Sequence, residues 1–97
     1  MEFLNFVQVM ITFSNKTTRE NYLYEIEGVR ISGDVDYNDN SFWASMSITV
    51  GDKVGYGNIN QDDAININGF KAETLEVASQ SVKAFYEELK SEIATRR

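Results

Sequence analysis

The stretch that decides the fold is Phe70–Arg97, FKAETLEVASQSVKAFYEELKSEIATRR. On a helix that turns about 100° per residue, its apolar side chains form one stripe roughly 100° wide, which is typical of a helix that packs one face on a core. The stripe consists of Leu75, Ala78, Val82, Phe85, Tyr86, Leu89 and Ile93. Acidic residues near the start and basic residues near the end complement the helix dipole. The pattern predicts one long C-terminal helix at about residues 71–95.

Upstream of this helix the apolar residues recur at every second position, which indicates β-strands. The clearest strand is residues 42–50, where Phe42, Ala44 and Met46 alternate with Trp43 and small polar residues. The chain has 97 residues, enough for one domain with a sizeable core. We predict a single α+β domain over residues 1–97, a two-layer sandwich. A four- to five-stranded antiparallel meander within residues 2–67 is followed by the long helix, packed on one face of the sheet.

Two turns are ambiguous in the sequence. Glu27-Gly28 is either a two-residue hairpin loop or a glycine bulge within one long strand, and we favour the bulge because Glu is a poor first residue for a type I′ turn. After residue 50 we expect a three-residue loop, which sets Ile48 opposite Tyr56 rather than opposite Gly55. A short extra strand around residues 64–67 is an option.

The composition excludes several kinds of chemistry. The chain contains no cysteine and no histidine, which removes thiolate nucleophiles, the commonest general base and the usual zinc ligands. We therefore expect no enzymatic activity and no cofactor. The segments that begin at Asp34 and Asn58 carry oxygen ligands at alternate positions, as a calcium loop does, but both lack its glycine and its final glutamate. We expect Asx-rich turns there and no metal site.

Charge and hydropathy restrict the location and the partners. Residues 1–13 are apolar, but Glu2, Asn5 and Gln8 interrupt the run, so we expect neither a signal peptide nor a membrane span. Without cysteine or a secretory signal, a cytoplasmic protein is the simplest interpretation. The net charge of −6 and the scattered basic residues disfavour nucleic-acid binding, which needs clustered Lys and Arg.

The first predicted strand, Glu2 to Phe13, is apolar on both faces, whereas a single helix covers only one face of a sheet. This mismatch predicts contact with another molecule. The helix, about 37 Å long at 1.5 Å per residue, is also longer than a nine-residue strand of about 30 Å, so its last turn should overhang the sheet. The candidate interaction surface comprises Leu4, Phe6, Met10, Trp43, Tyr56 and Ile93.

Three classes of function fit these features. The first is a non-catalytic protein-interaction module or small regulatory factor that uses the uncovered sheet face and forms a homodimer. The second is an acidic inhibitor or decoy of a nucleic-acid-binding protein, of the kind carried by bacterial mobile elements or phages, and its support is the net charge alone. The third is a single-strand nucleic-acid binder that stacks bases on Trp43 and a tyrosine.

Overall fold

A computed structural model describes residues 3–60, 62 and 64–96, and for residues 3–11 it describes the backbone alone. The elements are β1 (Phe3–Thr12), β2 (Thr18–Ile26), β3 (Val29–Tyr37), β4 (Phe42–Val50), β5 (Lys53–Asn60), β6 (Ile65–Asn68) and α1 (Ala72–Arg96). Each strand pairs antiparallel with the next, in the order β1-β2-β3-β4-β5-β6. The predicted α+β meander with one C-terminal helix is confirmed, and the optional short strand is present as β6. Within the described ranges, no helix combines the length and the apolar character needed to cross a membrane.

The apolar stripe of α1 packs across one face of the sheet, mainly over β3 and β4. Its buried residues are Ala78, Ser81, Val82, Phe85, Tyr86, Leu89 and Ile93. The ring of Phe85 stacks on Tyr22 of β2 with 4.8 Å between ring centroids, and its centroid lies 5.4 Å from that of Tyr24. Since six of the seven predicted stripe residues are buried, with Leu75 partly exposed, the stripe is confirmed as the contact between the helix and the sheet.

The turn at Glu27-Gly28 is a two-residue hairpin loop, so the favoured bulge is wrong. Both residues have positive φ, 45° for Glu27 and 83° for Gly28, as a type I′ turn requires. The turn sets Ile26 directly opposite Val29. Cross-strand pairing of apolar side chains stabilises a hairpin, and here it outweighs the poor turn preference of glutamate.

The turn between β4 and β5 also has two residues, Gly51-Asp52, instead of the predicted three. Gly51 has a φ of 62°, which suits the first central position of a type II′ turn. This register buries Gly55 on the helix side of the sheet. The ring of Phe70 lies over Gly55, where an added Cβ would overlap it. Phe70 therefore supplies the apolar cover at this position, and Tyr56 projects from the opposite face.

The last turn of α1 is fixed to the sheet, which corrects the predicted overhang. The guanidinium of Arg96 donates from Nε to the Glu20 carboxylate on β2 at 2.6 Å, and from Nη1 to the backbone oxygen of Glu92 at 2.9 Å. The hydroxyl of Tyr37 on β3 donates to the same Glu20 carboxylate at 2.5 Å. Because Glu20 is only 4% exposed, these two donors compensate a carboxylate that is removed from water.

We expect the protein to lose stability between pH 10 and pH 12. Burial and the hydrogen bond to Glu20 raise the pKa of Tyr37 to about 12, above the ordinary value of 10. The contribution of the neutral Tyr37 hydroxyl to stability is therefore complete below pH 10 and is lost as the pH rises to about 12, because Tyr37 ionises at a lower pH in the unfolded chain than in the folded protein. At about 1.4 kcal/mol per pKa unit, the ionisation of Tyr37 alone should lower the free energy of unfolding by roughly 2–3 kcal/mol.

Urea unfolding at several pH values between 9 and 12 measures this decline. The variant Tyr37→Phe should show a shallower decline than the wild type. Some dependence should remain, because burial also raises the pKa of Tyr22. Equal slopes in the two proteins would contradict the role of Tyr37.

Candidate interaction surface

The side of the sheet that faces away from α1 is here called the open face. Its described residues are Arg19, Asn21, Leu23, Glu25, Arg30, Ser32, Asp34, Asp36, Trp43, Ser45, Ser47, Thr49, Val54, Tyr56, Asn58, Asn60, Asn66 and Asn68. They form rows across the strands, because directly paired residues of antiparallel strands point to the same side. Small polar side chains occupy most of the middle of this face.

Large apolar side chains stand out from this polar background. Trp43 is 49% exposed, Val54 50% and Tyr56 63%. Phe13, 40% exposed, lies at the rim of the open face with the Arg19 guanidinium 5.4 Å from its ring centroid. Four of the five large hydrophobic residues that are exposed in the described part of the chain thus belong to the open face or its rim. Such a concentration is typical of surfaces that contact another molecule.

The two aromatic residues lie at opposite ends of the polar centre. Trp43 on β4 pairs with Asn60, whereas Tyr56 on β5 pairs with Ser47. Four residues along a strand span about 13 Å. Between the rings lies the Ser45–Asn58 pair. The open face therefore offers two aromatic contact points separated by a flat polar strip.

The arginines of the open face are neutralised by neighbouring acids. Arg19 donates two hydrogen bonds to Asp36, at 2.7 and 3.0 Å, and this contact raises the pKa of Arg19. Arg30 pairs with Glu25 at 3.2 Å. Across the described residues of this face, no Lys or Arg is left without an acidic partner. A polyanion would therefore meet no uncompensated positive charge on this surface.

The carboxylates and amides that resemble a calcium loop are engaged within the protein. Asp34 and Asp36 lie on β3, where Asp34 accepts a hydrogen bond from Asn21 and Asp36 binds Arg19. Asp34 to Tyr37 therefore belong to β3, and the Asx turn predicted for this segment is confined to Asn38, whose Oδ1 accepts from the backbone N–H groups of Asn40 and Ser41 at 2.9 Å. Asn60 does form an Asx turn, accepting from the backbone N–H of Asp62 at 3.0 Å. The described residues contain no group of three or more acidic, His or Cys side chains that could hold a metal ion.

The structure divides the six residues predicted to form the surface into three sets. Trp43 and Tyr56 lie on the open face. Ile93 is fully buried under the sheet, which removes it from any surface, because the last turn of α1 is fixed by Arg96 instead of overhanging.

The third set lies on β1. Leu4, Phe6 and Met10 pair with Tyr24, Tyr22 and Glu20. Because those three partners are buried on the helix side, the register assigns the β1 positions to that side and away from Trp43; their side chains lie outside the described part of the structure. The apolar residues that the register places at open-face positions of β1 are Phe3, Val7 and Ile11.

Sequence reasoning missed Val54 and Phe13 as exposed apolar residues. For Val54 the signal was present: with a two-residue loop at Gly51-Asp52, Val54 and Tyr56 necessarily share a face with Trp43, since alternate residues of a strand point the same way. For Phe13 the deciding contact is with Arg19, across the turn between β1 and β2. That contact has no signal in the local sequence pattern.

Comparison with known proteins gives no further guide to this surface. No protein-family model matches the chain, and neither the curated proteins nor the solved structures include a match.

Proposed function

We propose that this chain is a non-catalytic, acidic protein-interaction module of the cytoplasm that acts through its open face and self-associates as a homodimer. The observation that carries the proposal is that Trp43, Val54, Tyr56 and Phe13, four of the five exposed large hydrophobic residues in the described part of the chain, lie on or at the rim of the one face that α1 leaves uncovered. Aromatic side chains with a polar group suit protein interfaces, because they combine a large apolar area with a donor that stays hydrated at the rim.

The chemistry of this face favours a protein over a nucleic acid. Its arginines are occupied by Asp36 and Glu25, and the chain carries a net charge of −6. Two of its acids, Asp36 and Glu25, are paired with arginines, which leaves Asp34 with a hydrogen bond from Asn21. One carboxylate is not the extended negative patch that an acidic decoy of a basic cleft would use. Contact through aromatic and apolar area remains the interaction that the surface supports best.

The arrangement of the two aromatics suits a second copy of the chain. In a two-fold symmetric dimer both subunits use the same patch. If one residue of that patch contacts a second residue on the partner subunit, the reciprocal contact forms as well. A two-fold axis that passes near Ser45 and Asn58 would bring Trp43 of each copy over Tyr56 of the other. The polar strip between them would then meet its own copy across the axis.

Sedimentation equilibrium tests the homodimer. We expect the wild type to form a dimer at micromolar concentration, and Trp43→Ser combined with Tyr56→Ser to weaken it by at least a hundredfold, since truncation of each central aromatic costs about 2 kcal/mol. The control is Val77→Ser, which removes a 44%-exposed apolar residue from α1 and should leave the dimer intact. A wild type that stays monomeric at high micromolar concentration, or a double variant that dimerises equally well, would contradict the proposal.

The single tryptophan gives a second readout of the same contact. Trp43 is half exposed in one copy, so its burial by a second copy should move its emission to shorter wavelength and reduce quenching by acrylamide as concentration rises. The variant Tyr56→Ser, which keeps the tryptophan, should show no such change over the same range. An emission spectrum that is independent of concentration in a protein shown to dimerise would place the dimer contact on another surface.

A further inference from the structure

A groove runs along the sheet edge that β6 forms, on the side of the sheet that carries α1. It consists of two adjoining hollows of about 660 and 350 Å³ that share Ile65 and Lys83. Ile65 and Ile67 of β6 lie along one wall, and Leu75, Ser79, Lys83 and Tyr86 of α1 form the other. The groove, called the edge groove below, lies on the opposite side of the sheet from Trp43.

The edge groove stays open because the helix lies over the middle of the sheet. The main contacts of α1 are with β3 and β4, and β5 presents Gly55 and Gly57 towards the helix side. As a result Ile65 and Ile67 are only partly buried, although both pack against the core. The wall that Ile65 and Ile67 form is therefore apolar and accessible.

The backbone of β6 at this wall is free to pair with another strand. The backbone oxygen of Ala64 accepts from the N–H of Asn60 on β5 at 3.2 Å, so the N–H and C=O groups of Asn66, two residues further on and paired with Asn58, also point to β5. Alternate residues of an antiparallel strand direct these groups to opposite sides. The corresponding groups of Ile65 and Ile67 must then point away from β5. In the described sheet no strand follows β6. An added strand would gain the main-chain hydrogen bonds of Ile65 and Ile67 and place alternate side chains in the edge groove.

The positive charge of Lys83 in the middle of the groove determines which charged side chain an added strand should carry. Lys83 lines both hollows, and the ion pairs formed among the described residues do not include it. The groove also carries carboxylates: Glu76 lines the larger hollow alone, whereas Glu87 of the smaller hollow pairs with Lys90. The nearby Lys90 is engaged with Glu87 at 3.1 Å and with the ring of Tyr86 at 4.7 Å. Lys83 is thus the cation available to an acidic side chain of an occupant.

We infer that the edge groove binds an extended peptide segment of another protein, which adds to β6 as a seventh strand. The segment carries an apolar side chain opposite Ile67, packed on Leu75, and an acidic side chain two residues away that pairs with Lys83. The spacing follows from the two-residue period with which a strand presents side chains to one face. This inference concerns a different surface from the open face and stands independently of the proposed function.

A second copy of this chain fits the edge groove less well. Its own apolar strand, Phe3–Thr12, contains no acidic residue to meet Lys83. Pairing of β1 with β6 of another copy would also be heterologous, and such contacts continue into rings or fibres instead of closing as a dimer. The charge complement therefore favours a peptide from another protein.

Selection of random decapeptides displayed on phage tests the inference directly. The wild type should enrich sequences with an apolar residue and, two positions away, Asp or Glu. The variant Lys83→Glu should enrich Lys or Arg at that second position instead, because the sign of the contact is reversed. The control is Lys53→Glu, which changes the net charge equally at an exposed site remote from the groove.

Binding of the best selected peptide, measured by calorimetry, gives the magnitude. Its dissociation constant should rise at least tenfold in Lys83→Glu and in Ile67→Thr, and should change by less than twofold in Lys53→Glu. Amide chemical shifts of Ile65 and Ile67 should move on titration. The inference is overturned if no pattern is enriched, if the charge preference is unchanged in Lys83→Glu, or if the shifts map to the open face. Assembly of the protein into long oligomers through β6 would also overturn it, in favour of a second copy.

Discussion

Replacement of Phe85 by alanine should lower the free energy of unfolding by about 3–5 kcal/mol, the usual cost of removing a buried aromatic ring. The ring is fully buried and lies at the centre of the contact between helix and sheet, 4.8 Å from the ring of Tyr22 and 5.4 Å from that of Tyr24. Removal would leave a cavity between two rigid layers that cannot close over it. A domain of this kind has a total stability of about 5–15 kcal/mol, so much of it depends on this ring.

Urea unfolding followed by circular dichroism measures the effect. The control is Val77→Ala on the same helix, whose side chain is 44% exposed and whose truncation should cost about 0.5 kcal/mol or less. Similar losses in the two variants would show that α1 does not pack on the sheet through Phe85.

Replacement of Arg96 by methionine should cost about 3 kcal/mol, in the range found when one partner of a buried ion pair is removed. The Glu20 carboxylate would keep the hydrogen bond from Tyr37 but would lose the cation that compensates its charge. Since Arg96 also binds the backbone oxygen of Glu92, the last turn of α1 should fray as well. Hydrogen exchange of the amides near the end of α1 should become faster in this variant.

The double variant Glu20→Met, Arg96→Met distinguishes the cost of an uncompensated Glu20 charge from the loss of the other contacts of Arg96. Its stability should recover by more than half of the loss, because a buried ion pair can often be replaced by apolar side chains at little cost. The matched control is Arg30→Met, which breaks the exposed pair with Glu25 and should cost less than about 1 kcal/mol. A double variant less stable than Arg96→Met alone would mean that Glu20 contributes without its partner.

The helix illustrates what a local pattern predicts well. The sequence indicated residues 71–95, and α1 spans Ala72–Arg96 with the predicted stripe towards the sheet. An amphipathic helix depends on spacing within a few turns of one segment, so its buried side can be inferred without knowledge of what covers it.

The turns show where local preference is insufficient. The choice at Glu27-Gly28 depended on a pairing across β2 and β3, and the choice at Gly51-Asp52 depended on Phe70, which follows β6 in the chain. A one-residue change of register moves a whole strand to the other face of the sheet. For this reason the predicted register set Tyr56 opposite Ile48 on the core face, although Tyr56 was also a predicted member of the interaction surface.

The candidate surfaces could be predicted from the sequence less well than the helix or the turns. Ile93 was expected at a free helix end, yet the contact between Arg96 and Glu20, 76 residues apart in the chain, holds that end on the sheet. The edge groove likewise combines Lys83 of α1 with Ile65 of β6, and the sequence pattern assigned neither residue to a surface.

The sequence by itself determined the class of the fold, the bounds and buried side of the helix, and the absence of histidine and cysteine chemistry, because each of these follows from residue type and short-range periodicity. The tertiary structure alone decided which strand register forms, where the helix end is fixed and which exposed side chains share a surface. Those properties depend on contacts between distant segments, and the energy of such a contact is set by both partners together, so neither segment reveals it alone.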